Sequence, residues 1–130
     1  NKIQATDFPS MPELDELRLG ILHFNLGKWY EAHEAWEEKW MAMGGSGRDF
    51  YKALIQVAVG LHHWENHNPR GGRKLVQRGR NLLLSFAPEH LGVALSDFIV
   101  ELDSFCQPLE NWDGKSEVPF PKPQPPRLKA

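Results

Sequence analysis

The sequence is short of cysteine, of long apolar runs and of net charge, and each shortage excludes a class of protein. Its single cysteine, Cys106, leaves no partner for an intramolecular disulfide and no second thiolate for a zinc cluster. No stretch approaches the ~18 consecutive apolar residues of a membrane span, and residues 1–12 lack the basic-then-apolar order of a signal peptide. We therefore expect a cytoplasmic protein without a membrane partner.

The overall charge is close to balance. Lys and Arg number 15 against 17 Asp and Glu, which gives a formal net charge of −2. A field this weak gives no reason to expect nucleic acid as a partner, although it is compatible with a homo-oligomer. Hydrophobic residues at 41% and charged residues at 25% are typical of a chain that folds around a core.

Apolar residues recur at helical spacing along most of the chain. This periodicity predicts an all-α protein, a compact bundle of about five helices with no sheet. The spacing Ser10–Glu13 resembles a capping box at the start of the first helix, and Asn68–Gly72 predicts a break before the fourth. Pro88 is expected to end the fourth helix and Pro108 the fifth. The helices should lie near residues 13–25, 28–43, 48–67, 73–87 and 91–107.

The third helix carries two apolar stripes. One contains Phe50, Leu54 and Leu61, and the neighbouring one contains Tyr51 and Ile55. A helix with two apolar stripes contacts two neighbours, so this one should lie at the centre of the bundle.

Proline marks a change in the character of the chain near its carboxyl end. Five of the residues from Pro119 to Ala130 are prolines, which favours an extended tail over another helix. We predict a single helical-bundle domain over residues 1–112 and an extended Pro-rich tail over residues 113–130.

The densest polar cluster lies in the second helix. His33 and Glu37 are one turn apart on the same helix face, and His62 lies on a stripe of the third helix. Two histidines and one carboxylate form a known catalytic zinc set with an open fourth position, so His33, Glu37 and His62 are candidate ligands. One divalent metal ion such as zinc is the cofactor that fits, and Glu34 is the candidate catalytic base.

A purely structural interpretation of the same cluster stands beside the catalytic one. A buried histidine and glutamate hydrogen-bond each other whether or not a metal is present. Under either interpretation we expect His33, Glu37 and His62 to lie near one another and at least partly buried. The other residues expected to line this site are Glu31, Trp36, Trp40, Tyr51 and Gln56.

A second polar feature is the run of five cations from Arg70 to Arg80 that contains no acid. Arg70 and Arg73 follow a helix start, where free N–H groups attract anions, and are candidate anion-binding residues. The alternative is that these cations form the solvent-exposed face of an amphipathic helix or pair with acids such as those of Glu31–Glu38. In that case they should contribute little to the stability of the fold.

Three sequence blocks resemble an uncharacterised helical family, the domain of unknown function 309. They are FNLGKWYEAHEAWEEKW at Phe24–Trp40, the segment Arg48–His62, and Asn68–Leu75, within a resemblance over about residues 14–86. The resemblance implies a small all-helical bundle, and some members of the family are labelled predicted metal-dependent hydrolases. The resemblance points to candidate site residues but does not identify a substrate.

Two functions follow as hypotheses. One is metal-assisted hydrolysis at a site between the second and third helices. The other is a non-enzymatic binding or scaffold module that uses the helical hairpin groove and the Pro-rich tail. Convergence of His33 and His62 on one point would distinguish the two.

Overall fold

The computed structural model describes residues 15–45, 47–121 and 125–130 of the chain, so the capping box expected at Ser10–Glu13 lies outside the described residues. Within the described part the protein is an all-α bundle, as predicted, with six helices and one two-stranded hairpin. The elements are α1 (Asp15–Asn25), α2 (Trp29–Ala42), α3 (Arg48–Glu65), α4 (Pro69–Leu84), β1 (Glu89–His90), β2 (Val93–Ala94), α5 (Leu95–Phe105) and α6 (Gln107–Glu110).

Helix α3 lies at the centre of the bundle, which confirms the prediction from its two stripes. It packs against α2 on one side and against α4 on the other, while α1 packs against α2. The core is rich in aromatic rings, which bury more apolar area per residue than aliphatic side chains. Its largest fully buried side chains are those of Phe24, Trp36, Phe50, Tyr51, Trp64 and Phe98.

The contact between α3 and α4 depends on glycine. A Cβ atom on Gly60 would lie 2.8 Å from the amide nitrogen of Val76, and one on Gly79 would lie 2.6 Å from the carbonyl oxygen of Ala53. The two backbones therefore approach more closely than side chains would allow.

Gly71 and Gly72 also belong to α4, so the break expected over Asn68–Gly72 is wrong except at Asn68. Helix α4 begins at Pro69, and the Asn68 side chain accepts a hydrogen bond from the amide of Gly71.

Two local features differ from the sequence prediction. Residues 89–94 form a hairpin in which Leu91 and Gly92 have φ of 51° and 83°, as a type I′ turn requires, so the fifth helix begins at Leu95 rather than near residue 91. The fifth helix ends at Phe105, before Pro108 as predicted, but a short helix that the sequence did not predict follows it. Pro108 lies in the first turn of this helix, α6, where a residue needs no amide hydrogen bond within its helix.

The described residues of the Pro-rich tail run over the bundle without forming a helix or strand. The Phe120 ring contacts Trp29, Trp64 and Phe105, with ring centroids 6.3, 5.1 and 5.3 Å apart. The indole of Trp64 donates a hydrogen bond of 2.8 Å to the carbonyl of Val118. The tail thus covers part of the aromatic core. Across the described residues, none of the helices has the length and apolar character needed to cross a membrane.

Candidate functional site

His33 and Glu37 form a pair on α2, near the surface where α2 packs against α3. The Nε2 atom of His33 lies 3.5 Å from Oε1 of Glu37, one helical turn further on. The His33 side chain is 16% exposed and that of Glu37 is 44% exposed, so the imidazole is sheltered while the carboxylate reaches water. This carboxylate therefore escapes most of the desolvation cost that a buried charge would pay.

Tyr30 connects this pair to His62. Its ring centroid is 5.2 Å from that of His33 and 5.5 Å from that of His62, and its side chain is half exposed. Residues three apart on a helix lie side by side, which places Tyr30 next to His33. His62 comes from α3, so both helices contribute to a continuous surface made of two imidazoles and one phenol ring.

A cleft of about 490 Å³ lies beside this surface, where α2 begins and α3 ends. Lys28 precedes α2 and its side chain forms no capping hydrogen bond. At the end of α3, the side-chain nitrogen of Asn66 is 3.3 Å from Nδ1 of His62. Tyr30 and His62 line the cleft together with Gly27, Lys28, Trp29, Glu31, Glu65 and Asn66.

The described residues do not form a preassembled metal site. No three His, Cys, Asp or Glu side chains among them are grouped so that they could hold one ion. The Nδ1 atom of His33 is buried and has no hydrogen-bond partner among the described residues. A single nitrogen ligand is not sufficient to hold zinc. The candidate ligands His33 and Glu37 are thus adjacent, whereas His62 meets Tyr30 instead of completing a three-ligand set.

The tryptophans expected to line the site face elsewhere. Trp36 is fully buried and donates a hydrogen bond of 3.1 Å to the carbonyl of Leu17. Its indole lies against Gly20, where any Cβ would overlap it, so this side chain fills the contact between α1 and α2. Trp40 is half-buried beneath the guanidinium of Arg48, which lies 3.9 Å from its ring centroid.

The remaining expected residues divide between surface and core. Glu31 and Glu34 are exposed on α2, and only Glu31 lines the cleft. Tyr51 is buried in the core and contacts the ring of Phe50. Gln56 lies on another side of α3, in a shallow groove of about 380 Å³ that it shares with residues of α4.

Three of the five cations of the basic run on α4 form intramolecular hydrogen bonds with other described residues. Arg73 donates a hydrogen bond of 3.0 Å to the carbonyl of Trp112, and Arg70 donates one of 3.1 Å to the carbonyl of Gly114. Both guanidinium groups also lie over the Trp112 ring. These two candidate anion-binding residues therefore hold the segment after α6.

Arg80 shows that pairing with an acid does occur, although the partner differs from the expected Glu31–Glu38 segment. Its Nε and Nη2 atoms donate to the two carboxylate oxygens of Asp103, at 2.6 and 2.7 Å. Hydrogen bonding to this carboxylate raises the pKa of the Arg80 guanidinium above its ordinary value.

Comparisons with known proteins agree with the resemblance seen in the sequence. The family model described as Domain of unknown function (DUF309) matches residues 17–75, from α1 into α4, and confirms that resemblance. An uncharacterized protein of Aquifex aeolicus (strain VF5) is 34% identical over 67 residues, which are 51% of this chain and 20% of that relative. The chain thus spans about a fifth of the length of this relative. No solved structure gives a significant match.

Proposed function

We propose that this chain, whose helices α1 to α4 carry the resemblance to the domain of unknown function 309, is a binding module. Its ligand site would be the cleft between the start of α2 and the end of α3. The observation that carries the proposal is the half-exposed ring of Tyr30, in contact with His33 and His62 beside this cleft. A half-exposed aromatic ring held by two neighbouring rings offers a fixed stacking surface, with little side-chain entropy left to lose on binding.

The charges around the cleft disfavour an anionic ligand. Among the described residues, Glu31 and Glu65 line it together with the cation Lys28. An anionic ligand would meet two carboxylates, and repulsion between like charges at short range disfavours it. A neutral planar ring avoids that repulsion and still stacks on Tyr30.

His62 supplies a hydrogen bond that would select among planar ligands. The side-chain nitrogen of Asn66 lies 3.3 Å from its Nδ1 atom, and in the tautomer in which Nδ1 accepts this hydrogen bond the proton is on Nε2. This Nε2–H group is then a donor for an acceptor oxygen on the ligand. We infer that the ligand class is an uncharged planar ring bearing a carbonyl, as in nucleobases and aromatic amides.

The proposal is tested by titrating benzamide and uridine into the protein and following the ring signals of Tyr30, His33 and His62 by NMR. We expect concentration-dependent shifts of these signals with both probes. Tyr30→Ala should abolish them, while Tyr30→Phe should retain them because the stacking ring remains. His67→Asn is the matched control, since His67 is exposed and outside this cleft. Signals that do not move with either probe would contradict the proposed ligand class.

Metal-assisted hydrolysis is the second candidate, with His33, Glu37 and His62 as ligands and Glu34 as base. The observation in its favour is the 3.5 Å distance between Nε2 of His33 and Oε1 of Glu37, since two atoms at this separation can bind the same ion. This candidate requires His62 to move toward the pair.

Zinc content distinguishes the two candidates. A metal site predicts one chelator-sensitive zinc ion per chain, lost in His33→Gln and His62→Gln but kept in His67→Asn. The binding module predicts no stoichiometric zinc in any of these proteins, measured by elemental analysis after dialysis.

A further inference from the structure

The carboxyl-terminal part of the described tail is held by a two-way hydrogen-bond pair. The side-chain nitrogen of Asn25 donates to the carbonyl of Leu128 at 2.8 Å, and the amide of Leu128 donates to Oδ1 of Asn25 at 2.8 Å. One carboxamide thus satisfies both backbone groups of one residue. This arrangement recognises an extended backbone independently of its side chain.

The residues on either side of Leu128 are bound through their backbones as well. The amide of Arg127 donates to Oε1 of Glu101 at 3.0 Å, and the carbonyl of Lys129 accepts from the amide of Ala94 at 2.9 Å. Three consecutive tail residues therefore bond to three separate elements, namely α1, α5 and β2.

The side chains of this segment alternate between buried and exposed. Pro126 and Leu128 are buried, whereas Arg127 and Lys129 are exposed. An alternation of period two is the signature of an extended strand lying on a surface. The ammonium group of Lys129 lies 3.8 Å from Oε2 of Glu101, so an acid faces the position after the buried leucine.

These contacts are those by which peptide-binding domains hold extended ligands, with backbone bonds for affinity and alternate pockets for specificity. We propose that Asn25, Ala94 and Glu101 form a peptide-binding groove that the segment of residues 125–130 occupies in cis. The groove would also accept, in trans, an extended segment of another protein with the pattern proline, any residue, leucine and a basic residue. None of the three groove residues lines the α2–α3 cleft, and the groove does not depend on the function proposed for that cleft.

Competition by the attached segment determines how the groove must be tested. A tethered ligand competes at an effective concentration that reaches the millimolar range. A free peptide therefore binds poorly while the cis segment is intact. Replacing Leu128 by glycine in the full chain removes the buried side chain of the cis segment and leaves the groove residues unchanged. The groove should then be open to peptide.

The experiment measures fluorescence anisotropy of a labelled peptide, acetylated and amidated, with the sequence of residues 125–130. We expect it to bind the Leu128→Gly chain at least about tenfold more tightly than the unaltered chain, because one buried leucine favours the cis segment by about that factor. Adding Asn25→Ala to Leu128→Gly should abolish binding. Adding His67→Asn instead is the matched control and should leave binding unchanged.

Peptide variants test which side chains the groove recognises. A peptide carrying Leu128→Asp should not bind, and one carrying Lys129→Glu should bind more weakly because it meets Glu101. Failure of the folded Leu128→Gly chain to bind the peptide, or binding that survives Asn25→Ala, would overturn the proposal.

A second measurement covers the case in which Leu128→Gly does not fold. Millimolar unlabelled peptide added to the isotopically labelled unaltered chain should shift the NMR signals of the Asn25 carboxamide and the Ala94 amide. Unmoved signals at both positions would equally overturn the proposal.

Discussion

At the scale of single residues, Cys106 shows how far the core excludes water. Its side chain is buried, and this burial, reinforced by the negative charges of Glu110 and Asp103, raises the pKa of the thiol from 9.0 to about 12. The thiol is therefore protonated in the folded protein at pH values where an unfolded chain already carries thiolate. A protonated, inaccessible thiol is unreactive, which accords with a packing role for this cysteine.

This pKa difference makes stability depend on pH in a defined direction. Below about pH 9 the thiol is protonated in both states and contributes no pH dependence. Between about pH 9 and pH 12 only the unfolded state loses the proton, so the free energy of unfolding should fall as the pH rises, by up to ~1.4 kcal/mol per pH unit. Urea unfolding at pH 8 and pH 10.5 measures the fall. Cys106→Ala should show a shallower fall, and equal slopes in both proteins would contradict the assignment.

Single residues also show where sequence reasoning about the site stops. His33 and Glu37 could be paired from their spacing alone, because residues four apart share a helix face. The sequence pattern does not mark Tyr30 as a site residue, although its position three residues before His33 is an available signal. The sequence predicts Trp36 at the site because it is aromatic and adjacent to the cluster, but its direction depends on the space left by Gly20 in another helix. Contacts between helices determine which aromatic rings face a cleft.

At the scale of elements, the contact between α3 and α4 depends on residues without side chains. Gly79 lies where a Cβ would come within 2.6 Å of the Ala53 carbonyl oxygen and 2.9 Å of the Val57 amide nitrogen. Both of these are backbone atoms inside a helix and cannot rotate away. The helices would have to separate to accommodate even one methyl group.

We therefore expect Gly79→Ala to destabilise the protein by about 1–3 kcal/mol, even though alanine is intrinsically better in a helix by about 1 kcal/mol. Urea unfolding followed by circular dichroism measures the change. Gly44→Ala is the matched control, because a Cβ there has no atom within 4 Å, and it should change stability by less than about 0.5 kcal/mol. If the two variants were equally stable, the close approach of α3 and α4 would be refuted.

The order and number of the main helices could be predicted because apolar periodicity reports buried faces directly. The hairpin over Glu89–Ala94 could not, because its turn places Leu91 at positive φ, where asparagine or glycine is the usual signal. The glycines of α4 wrongly predict a break for a related reason. Glycine weakens an isolated helix, and its benefit appears only when a neighbouring backbone packs against it.

At the scale of the whole molecule, the tail and the bundle share one core. The ring of Phe120 contacts aromatic rings of α2, α3 and α5, and Leu128 is 2% exposed against the bundle. The division into residues 1–112 and 113–130 remains a prediction about folding units. Because these two tail side chains bury apolar surface that the bundle would otherwise expose, we expect tail and bundle to unfold together.

The contribution of the tail to stability can be measured at Phe120. Phe120→Ala removes a ring that touches three others, and we expect it to lower the free energy of unfolding by about 1.5–3 kcal/mol. Val100→Ala, at a side chain that is 68% exposed, is the control and should cost less than about 0.5 kcal/mol. Urea unfolding followed by both tryptophan fluorescence and circular dichroism should give one coincident transition for the unaltered protein, because Trp29 and Trp64 report the tail contact and the helices report the bundle. An early fluorescence transition, or equal stability of the two variants, would show that the tail detaches independently of the bundle.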